Sequence, residues 1–168
     1  MIRICLHGAE STGKSVLAGR LGYPWVPEYG RAYCEERGTD LTMDDLLAIA
    51  EGQDGAMREA IGAAPPVLVL DTDPLMTAAW AQMLFGHVPD VLLSYPKANL
   101  YLLFEPDVPW VADGTRFFGT PQERSRFAGL AEEMLVRAGV PFLRISGNWD
   151  QRERQAREAI NRMLTTPV

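Results

Sequence analysis

Short apolar runs alternate along the chain with longer stretches of helical periodicity, the pattern of strand–helix units wound into a parallel sheet. Residues 2–6 (Ile-Arg-Ile-Cys-Leu) predict a first strand, and a glycine-bearing turn leads from it into a helix over about 14–21. Trp25 and Val26 predict a short second strand, followed closely by Glu28. Thr42 and Asp45 form a capping-box pair at the head of a helix over about 43–61. The continuous apolar run 67–70, after Pro65 and Pro66, suits a central strand covered on both faces. It ends at Asp71, with a helix expected over 74–85 and a fourth strand over 100–104.

Residues 105–120 hold prolines and glycines without a clean period, and an irregular stretch this long predicts a lid or binding loop, here about 105–126 with the first turn of the next helix. That helix starts at Thr120-Pro121-Gln122-Glu123 and carries an apolar face of Phe127, Leu130, Ala131, Met134, Leu135 and Ala138. Residues 142–145 predict a fifth strand. Asp150 and Glu153 open a last helix expected to bury Ala156, Ile160, Met163 and Leu164. No repeat, linker or low-complexity tract divides the chain, so one α/β domain is expected over 1–168.

Composition narrows the classes. The 168 residues are 47% hydrophobic and 23% charged, as in ordinary globular proteins, and the formal net charge is -6. That sign argues against nucleic-acid and membrane partners, because it repels polyphosphates and anionic lipids alike. No apolar run reaches the length of about 20 residues that a bilayer needs, and the N-terminus does not read as a signal peptide. Cys5 and Cys34 are too few for a disulfide framework, so a reduced, cytoplasmic protein is expected.

The turn after the first strand reads Gly8-Ala9-Glu10-Ser11-Thr12-Gly13-Lys14-Ser15, the phosphate-loop pattern in its proper strand–helix setting. Its glycines let the backbone wrap an anion while the helix N-terminus adds positive potential. Lys14 is expected on the β- and γ-phosphates of ATP and Ser15 on Mg2+. The fold implied is a three-layer α/β P-loop fold with a five-stranded parallel sheet ordered 2-3-1-4-5.

Three reaction classes share such a loop. A GTPase should show Asp-x-x-Gly after its third strand and an Asn-Lys-x-Asp base reader, but the chain has Asp71-Thr72-Asp73-Pro74 and Gly147-Asn148-Trp149-Asp150 there. An ATPase motor needs a larger body. A small-molecule kinase accounts for more, because it needs carboxylates to orient the acceptor, a metal-binding acid and arginines over the transferring group. Glu28, Asp71 and Asp73 stand at strand tips where the γ-phosphate would lie. Asp71 is a magnesium ligand or the base, and Glu28 binds the acceptor or is the base; the residues leave both assignments open. The segment 113–126 sets Arg116, Arg124 and Arg126 against Asp113 and Glu123, a locally basic lid on an acidic protein. Trp80 and Trp110 are candidates to face a cationic ring, and 146–152 is the expected base-reading segment. His7 and His87 are assigned no chemistry.

Four segments together, 8–15, Trp-Val-Pro-Glu-Tyr-Gly-Arg (25–31), Asp-Thr-Asp (71–73) with Thr77, Trp80 and Phe85-Gly86, and Pro-Trp-Val-Ala-Asp-Gly-Thr-Arg (109–116), resemble the ribosylnicotinamide kinase domain of the bifunctional bacterial NAD-biosynthesis regulators. Gly30 stands where that family more often has alanine. The resemblance implies a nucleoside- and nucleotide-kinase-like fold and ATP- and Mg2+-dependent phosphorylation of the ribose 5′-hydroxyl of nicotinamide riboside, here by a stand-alone kinase without adenylyltransferase or DNA-binding portions. The alternatives are a kinase for another nucleoside or a nucleoside monophosphate, and a non-catalytic ATP sensor. On this reading Lys14, Glu28, Asp71 and Arg116 act in catalysis. Gly8, Glu10, Ser11, Thr12, Gly13, Lys14, Ser15 and Arg124 hold the ATP phosphates. Glu28, Tyr29, Arg31, Asp73, Trp80, Trp110 and Asp113 meet the acceptor, and Ser15 and Asp71 the metal.

Overall fold

Five apolar runs become the strands of one parallel sheet. In the computed structural model, which describes residues 1–165, they are β1 (Ile2–Gly8), β2 (Trp25–Val26), β3 (Val67–Asp71), β4 (Leu100–Phe104) and β5 (Phe142–Ile145), ordered β2-β3-β1-β4-β5. The helices are α1 (Lys14–Arg20), α2 (Tyr29–Arg37), α3 (Met43–Gly62), α4 (Pro74–Phe85), α5 (Asp90–Ser94), α6 (Pro121–Ala138) and α7 (Trp149–Thr165). The order is the one expected from the motif.

Side chains alternate across the sheet, and each face has its own cover. Ile4, Leu6, Val67, Val69, Leu100, Leu102 and Phe104 meet Leu17 and Ala18 of α1 and Ala156 and Ile160 of α7. On the other face Cys5, Leu68, Leu70, Tyr101 and Leu103 meet Met57 of α3, Leu75 of α4 and Leu135 of α6. This double cover explains why β3 and β4 read as unbroken apolar runs and are buried at every position. Edge strand β5 instead leaves Leu143 and Arg144 exposed.

Three features depart from the sequence reading. Helix α2 buries only Cys34 and α5 only Leu92, so neither carries an apolar period that could announce it. Leu164, expected in the core, is 46% exposed near the end of α7, while Ala159 is buried instead. The capping boxes at Thr42–Asp45 and Thr120–Glu123 both form.

The chain places β2 and β3 on one side of β1 and β4 and β5 on the other, so the crevice for a ligand opens at the carboxyl end of β1. There Gly8 pairs in register with Phe104. It holds φ 129°, and a Cβ on it would stand 2.6 Å from the Phe104 carbonyl oxygen. We expect Gly8→Ala to lower the unfolding free energy by about 2 kcal/mol or more. Gly129→Ala, where a Cβ meets open space inside α6, should raise it by roughly 0.5–1 kcal/mol in urea titrations.

Candidate active site

Between β1 and α1 the backbone takes left-handed steps at Ser11 (φ 58°) and Gly13 (φ 86°), the geometry that turns successive N–H groups toward one point. Helix α1 begins immediately afterwards, at Lys14. The Thr12 hydroxyl donates to the Ala9 carbonyl at 2.8 Å and braces the loop from within. The Lys14 ammonium donates to the carbonyls of Gly8 (2.9 Å) and Ala9 (2.7 Å), folded over its own cradle. Burial lowers its pKa, opposed by the negative charges of Glu28, Asp71 and Glu10. The cavity over this loop is lined by Gly8, Glu10, Ser11, Thr12, Gly13, Lys14 and Ser15 and also by Glu28, Arg31, Trp80 and Arg116.

A second cavity adjoins the first. Glu10, Glu28, Arg31, Met76 and Trp80 line both, and its wall also includes Cys34, Leu46, Ile49, Gln53, Thr72, Thr77 and Phe117. Glu28 is the N-cap residue of α2, yet its side chain makes no capping bond, which leaves the carboxylate free at the junction. Burial raises its pKa and the nearby Asp71 charge adds to this, against Lys14 and Arg31. Asp71 ends β3 at 1% exposure and lines neither cavity. One of its carboxyl oxygens, Oδ1, has no partner within the protein. Burial raises the Asp71 pKa as well, while the Ser15 hydroxyl, Lys14 and Arg31 pull it down.

The segment 105–120 lies across the cradle. Arg31 of α2 reaches Asp113 at 2.6 Å, and Arg116 pairs with the same carboxylate at 3.2 Å. Burial pushes Asp113 upward, but the bonds from Arg31 and Thr115 and the two guanidinium charges hold it at about 2. The Val111 N–H donates to Ser11 Oγ at 2.8 Å, and the Arg124 guanidinium donates to the Ser11 carbonyl at 3.2 Å. The Phe117 N–H donates to Glu10 Oε2 at 2.5 Å, so a cradle carboxylate latches the segment. Trp80 anchors it by edge contact with Phe117, ring centroids 4.8 Å apart, and it also meets Phe118 and Phe127.

The fold therefore gathers Glu28, Arg31, Trp80 and Arg116 with the loop, and it leaves four of the candidate acceptor contacts elsewhere. Asp73 caps α4 through the Leu75 N–H and accepts the Tyr101 hydroxyl, so its oxygens are spent inside the sheet. Burial raises Asp73 to about 6. The Tyr29 ring lies outward on Gly52 of α3, where a Cβ would meet it at 2.3 Å. Trp110 packs within the lid against Gly119 and borders neither cavity. Asp113 serves the two arginines and likewise lines neither wall. Arg126 is exposed.

Thr72 and Phe117 are wall residues that sequence reasoning passed over. Thr72 holds a left-handed φ of 80°, rare for a β-branched residue, and its buried hydroxyl has no partner. Its position between two acids was the only signal. Cys5, His7 and Asp73 offer ligand atoms within 4.8 Å of one another. They sit in the sheet interior with Asp73 already engaged, and burial lowers His7 to about 4.

The family model for an AAA domain matches residues 3–152. The trifunctional NAD biosynthesis/regulator protein NadR of Escherichia coli (strain K12) is 31% identical over 175 aligned positions, covering 96% of this chain and 42% of that protein. The chain thus spans less than half the length of that relative. The crystal structure of a NadR protein in complex with NR superposes with a TM-score of 0.81 at 22% identity, covering 99% of this chain and 52% of that one. Deoxyadenosine kinase from M. mycoides superposes with a TM-score of 0.65 at 13% identity, covering 96% of this chain and 100% of the other. Both likenesses establish the kinase-like fold.

The Glu10 latch has a measurable signature. Burial raises this carboxyl from 4.5 to about 7, with the Phe117 bond opposing and the Glu28 charge adding. A raised folded-state pKa contributes stability that is whole below the ordinary value and is lost as pH climbs through the folded one. We expect the unfolding free energy to fall between pH 5 and 8, with Glu10 supplying roughly 1–3 kcal/mol of the change. Urea titrations of Glu10→Gln should show a shallower slope, and equal slopes contradict the assignment.

Proposed function

This chain belongs to the AAA-domain family, and on that premise we propose that it transfers the γ-phosphate of ATP to the ribose 5′-hydroxyl of nicotinamide riboside, giving the mononucleotide. One observation carries the reading. The phosphate cradle and the acidic, aromatic cavity beside it share the Glu28 wall, so a donor and an acceptor would meet at that carboxylate. A sensor would have no need of the second chamber.

The residues divide the work by position. The Lys14 ammonium takes the β- and γ-phosphates, exchanging its carbonyl partners for stronger charged ones. Asp71 and Ser15 fit a magnesium ion, since a buried carboxylate oxygen without a partner beside a hydroxyl is what a hard cation requires. A Mg2+ ion held by these two residues would supply positive charge against that developing on the transferring group. With Asp71 turned to the metal, Glu28 is left to accept the hydroxyl proton, and its raised pKa brings it nearer the working pH. Arg116, carried by the lid and set by Asp113, covers the γ-phosphate and helps exclude water.

Charge also favours the acceptor. Glu10 and Glu28 line its cavity, and Arg31, the one cation on that wall among the described residues, is already paired to Asp113. A monophosphate would bring further negative charge against those acids. A pyridinium ring instead gains from the carboxylates and from the faces of Trp80 and Phe117. The NR complex of the similar NadR protein supports the same choice.

With Mg-ATP and a panel of nucleosides and nucleoside monophosphates, nicotinamide riboside should turn over fastest; no product from it beside rapid turnover of another acceptor contradicts the assignment. Lys14→Ala should abolish turnover. Glu28→Gln and Asp71→Asn should each lower kcat by about 100-fold or more, with Asp71→Asn also raising the Mg2+ concentration needed for half activity. Unchanged kcat in both would remove the carboxylates from the mechanism.

A further inference from the structure

A buried hydroxyl on the wall of the second cavity stands unused. Thr72 lines that cavity at 6% exposure, and its Oγ1 has no hydrogen-bond partner among the described residues. The other buried side-chain polar atoms that lack a partner there belong to residues off this wall. Nearby polar groups are taken. The Gln53 amide accepts the Tyr29 N–H at 2.7 Å and donates to the Pro27 carbonyl at 3.2 Å, and the Thr115 hydroxyl donates to Asp113 at 3.1 Å. Thr72 also stands at the strand tip next to that of Glu28. Val26 and Leu70 pair in register on β2 and β3, and Glu28 and Thr72 each follow two residues later. We infer that Thr72 Oγ1 hydrogen-bonds a ring hydroxyl of the acceptor's sugar, so that the protein selects a riboside over its deoxy forms. This rests on the proposed acceptor chamber and adds the sugar selectivity that the chamber leaves open.

Two costs meet at this residue. A left-handed φ of 80° crowds its branched Cβ, and a buried hydroxyl without a partner forfeits the bonds it makes in water. Strain of this kind persists only where the surroundings impose it, and it gathers at ligand sites. Here β3 ends at Asp71 and Asp73 is already the N-cap of α4, so Thr72 is the single residue of the turn between them. Of these three consecutive residues only Thr72 reaches the cavity. Its neighbour on the wall identifies the ligand group. With the reacting 5′-oxygen at Glu28, the furanose that carries it falls within reach of the adjoining strand tip, while the faces of Trp80 and Phe117 suit the pyridinium ring. A threonine hydroxyl both donates and accepts, which matches a sugar hydroxyl in either sense. A wall built in this way rejects an analogue lacking the hydroxyl, because its own polar group then stays buried and unpaired.

Calorimetric binding of nicotinamide riboside and of its 2′-deoxy and 3′-deoxy analogues, with Mg2+ and a non-hydrolysable ATP analogue present, tests this without relying on turnover. The parent should bind at least one deoxy analogue about fivefold or more weaker than the riboside. Thr72→Val keeps the branched shape and removes only the hydroxyl. It should weaken the riboside by about fivefold or more, leave that deoxy analogue unchanged, and be largely rescued by Thr72→Ser. In the ligand-free protein Thr72→Val should hold or raise Tm, since an unpaired polar atom leaves the interior. A parent that binds all three compounds alike, or a valine variant that weakens all three equally, overturns the inference. A lowered Tm in Thr72→Val overturns it too, because the hydroxyl would then be supporting the fold. If nicotinamide riboside fails to bind while adenosine binds, the acceptor assignment falls, and the same comparison of adenosine with its deoxy forms upholds or overturns the role of Thr72. If no nucleoside binds, the chamber reading falls and takes this inference with it.

Discussion

A single buried ammonium faces three carboxylates: Lys14 sits among Glu10, Glu28 and Asp71, and their charges act on it against the pull of burial. Burial raises all three acids toward neutrality, and the Lys14 charge, joined at Glu28 and Asp71 by that of Arg31, opposes the rise only in part. The site is therefore short of positive charge until ligands arrive. Magnesium beside Asp71 and a cationic ring beside Glu28 and Glu10 would supply it, and a triphosphate on Lys14 is tolerable only with the metal. A preference for such partners would follow from the electrostatic deficit as much as from shape.

The deficit also accounts for the lid. Arg116 alone over the cradle would be a mobile surface cation. Asp113 fixes it, and the same carboxylate ties to Arg31 on α2, next to the acceptor wall. The Phe117 backbone, one residue past Arg116, bonds the cradle at Glu10 while its ring meets Trp80. The phosphate loop, the wall of the second cavity and Arg116 are thus joined by one short segment, so that a ligand on either side would bear on the position of the other. Lids of this kind gate access and exclude water.

Much of this was legible in the sequence because the signals were local. The strand runs at 67–70 and 100–104, the capping pairs and the 8–15 loop each announce themselves within a few residues, and strand order followed from the loop's family. What escaped was set by tertiary placement. Asp71 and Asp73 look equivalent in sequence, but β3 ends at Asp71 and the left-handed backbone at Thr72 breaks the strand alternation between them, leaving Asp73 on the Tyr101 hydroxyl and the α4 N-terminus. Tyr29 follows Glu28 directly, yet the helical turn of α2 carries its ring out over Gly52. Thr72, a cavity wall through an unusual left-handed backbone, has no sequence signature beyond its neighbours.

The central claim is that Glu28 aims an alcohol at a phosphorus gripped by Lys14. A crystal structure with a non-hydrolysable ATP analogue, Mg2+ and nicotinamide riboside measures it directly. The account requires the riboside 5′-oxygen within hydrogen-bond reach of the Glu28 carboxylate and about 3–3.5 Å from the terminal phosphorus, in line with the bond to be broken. An acceptor oxygen turned away from Glu28, or a triphosphate seated anywhere but over the 8–15 loop, would contradict it.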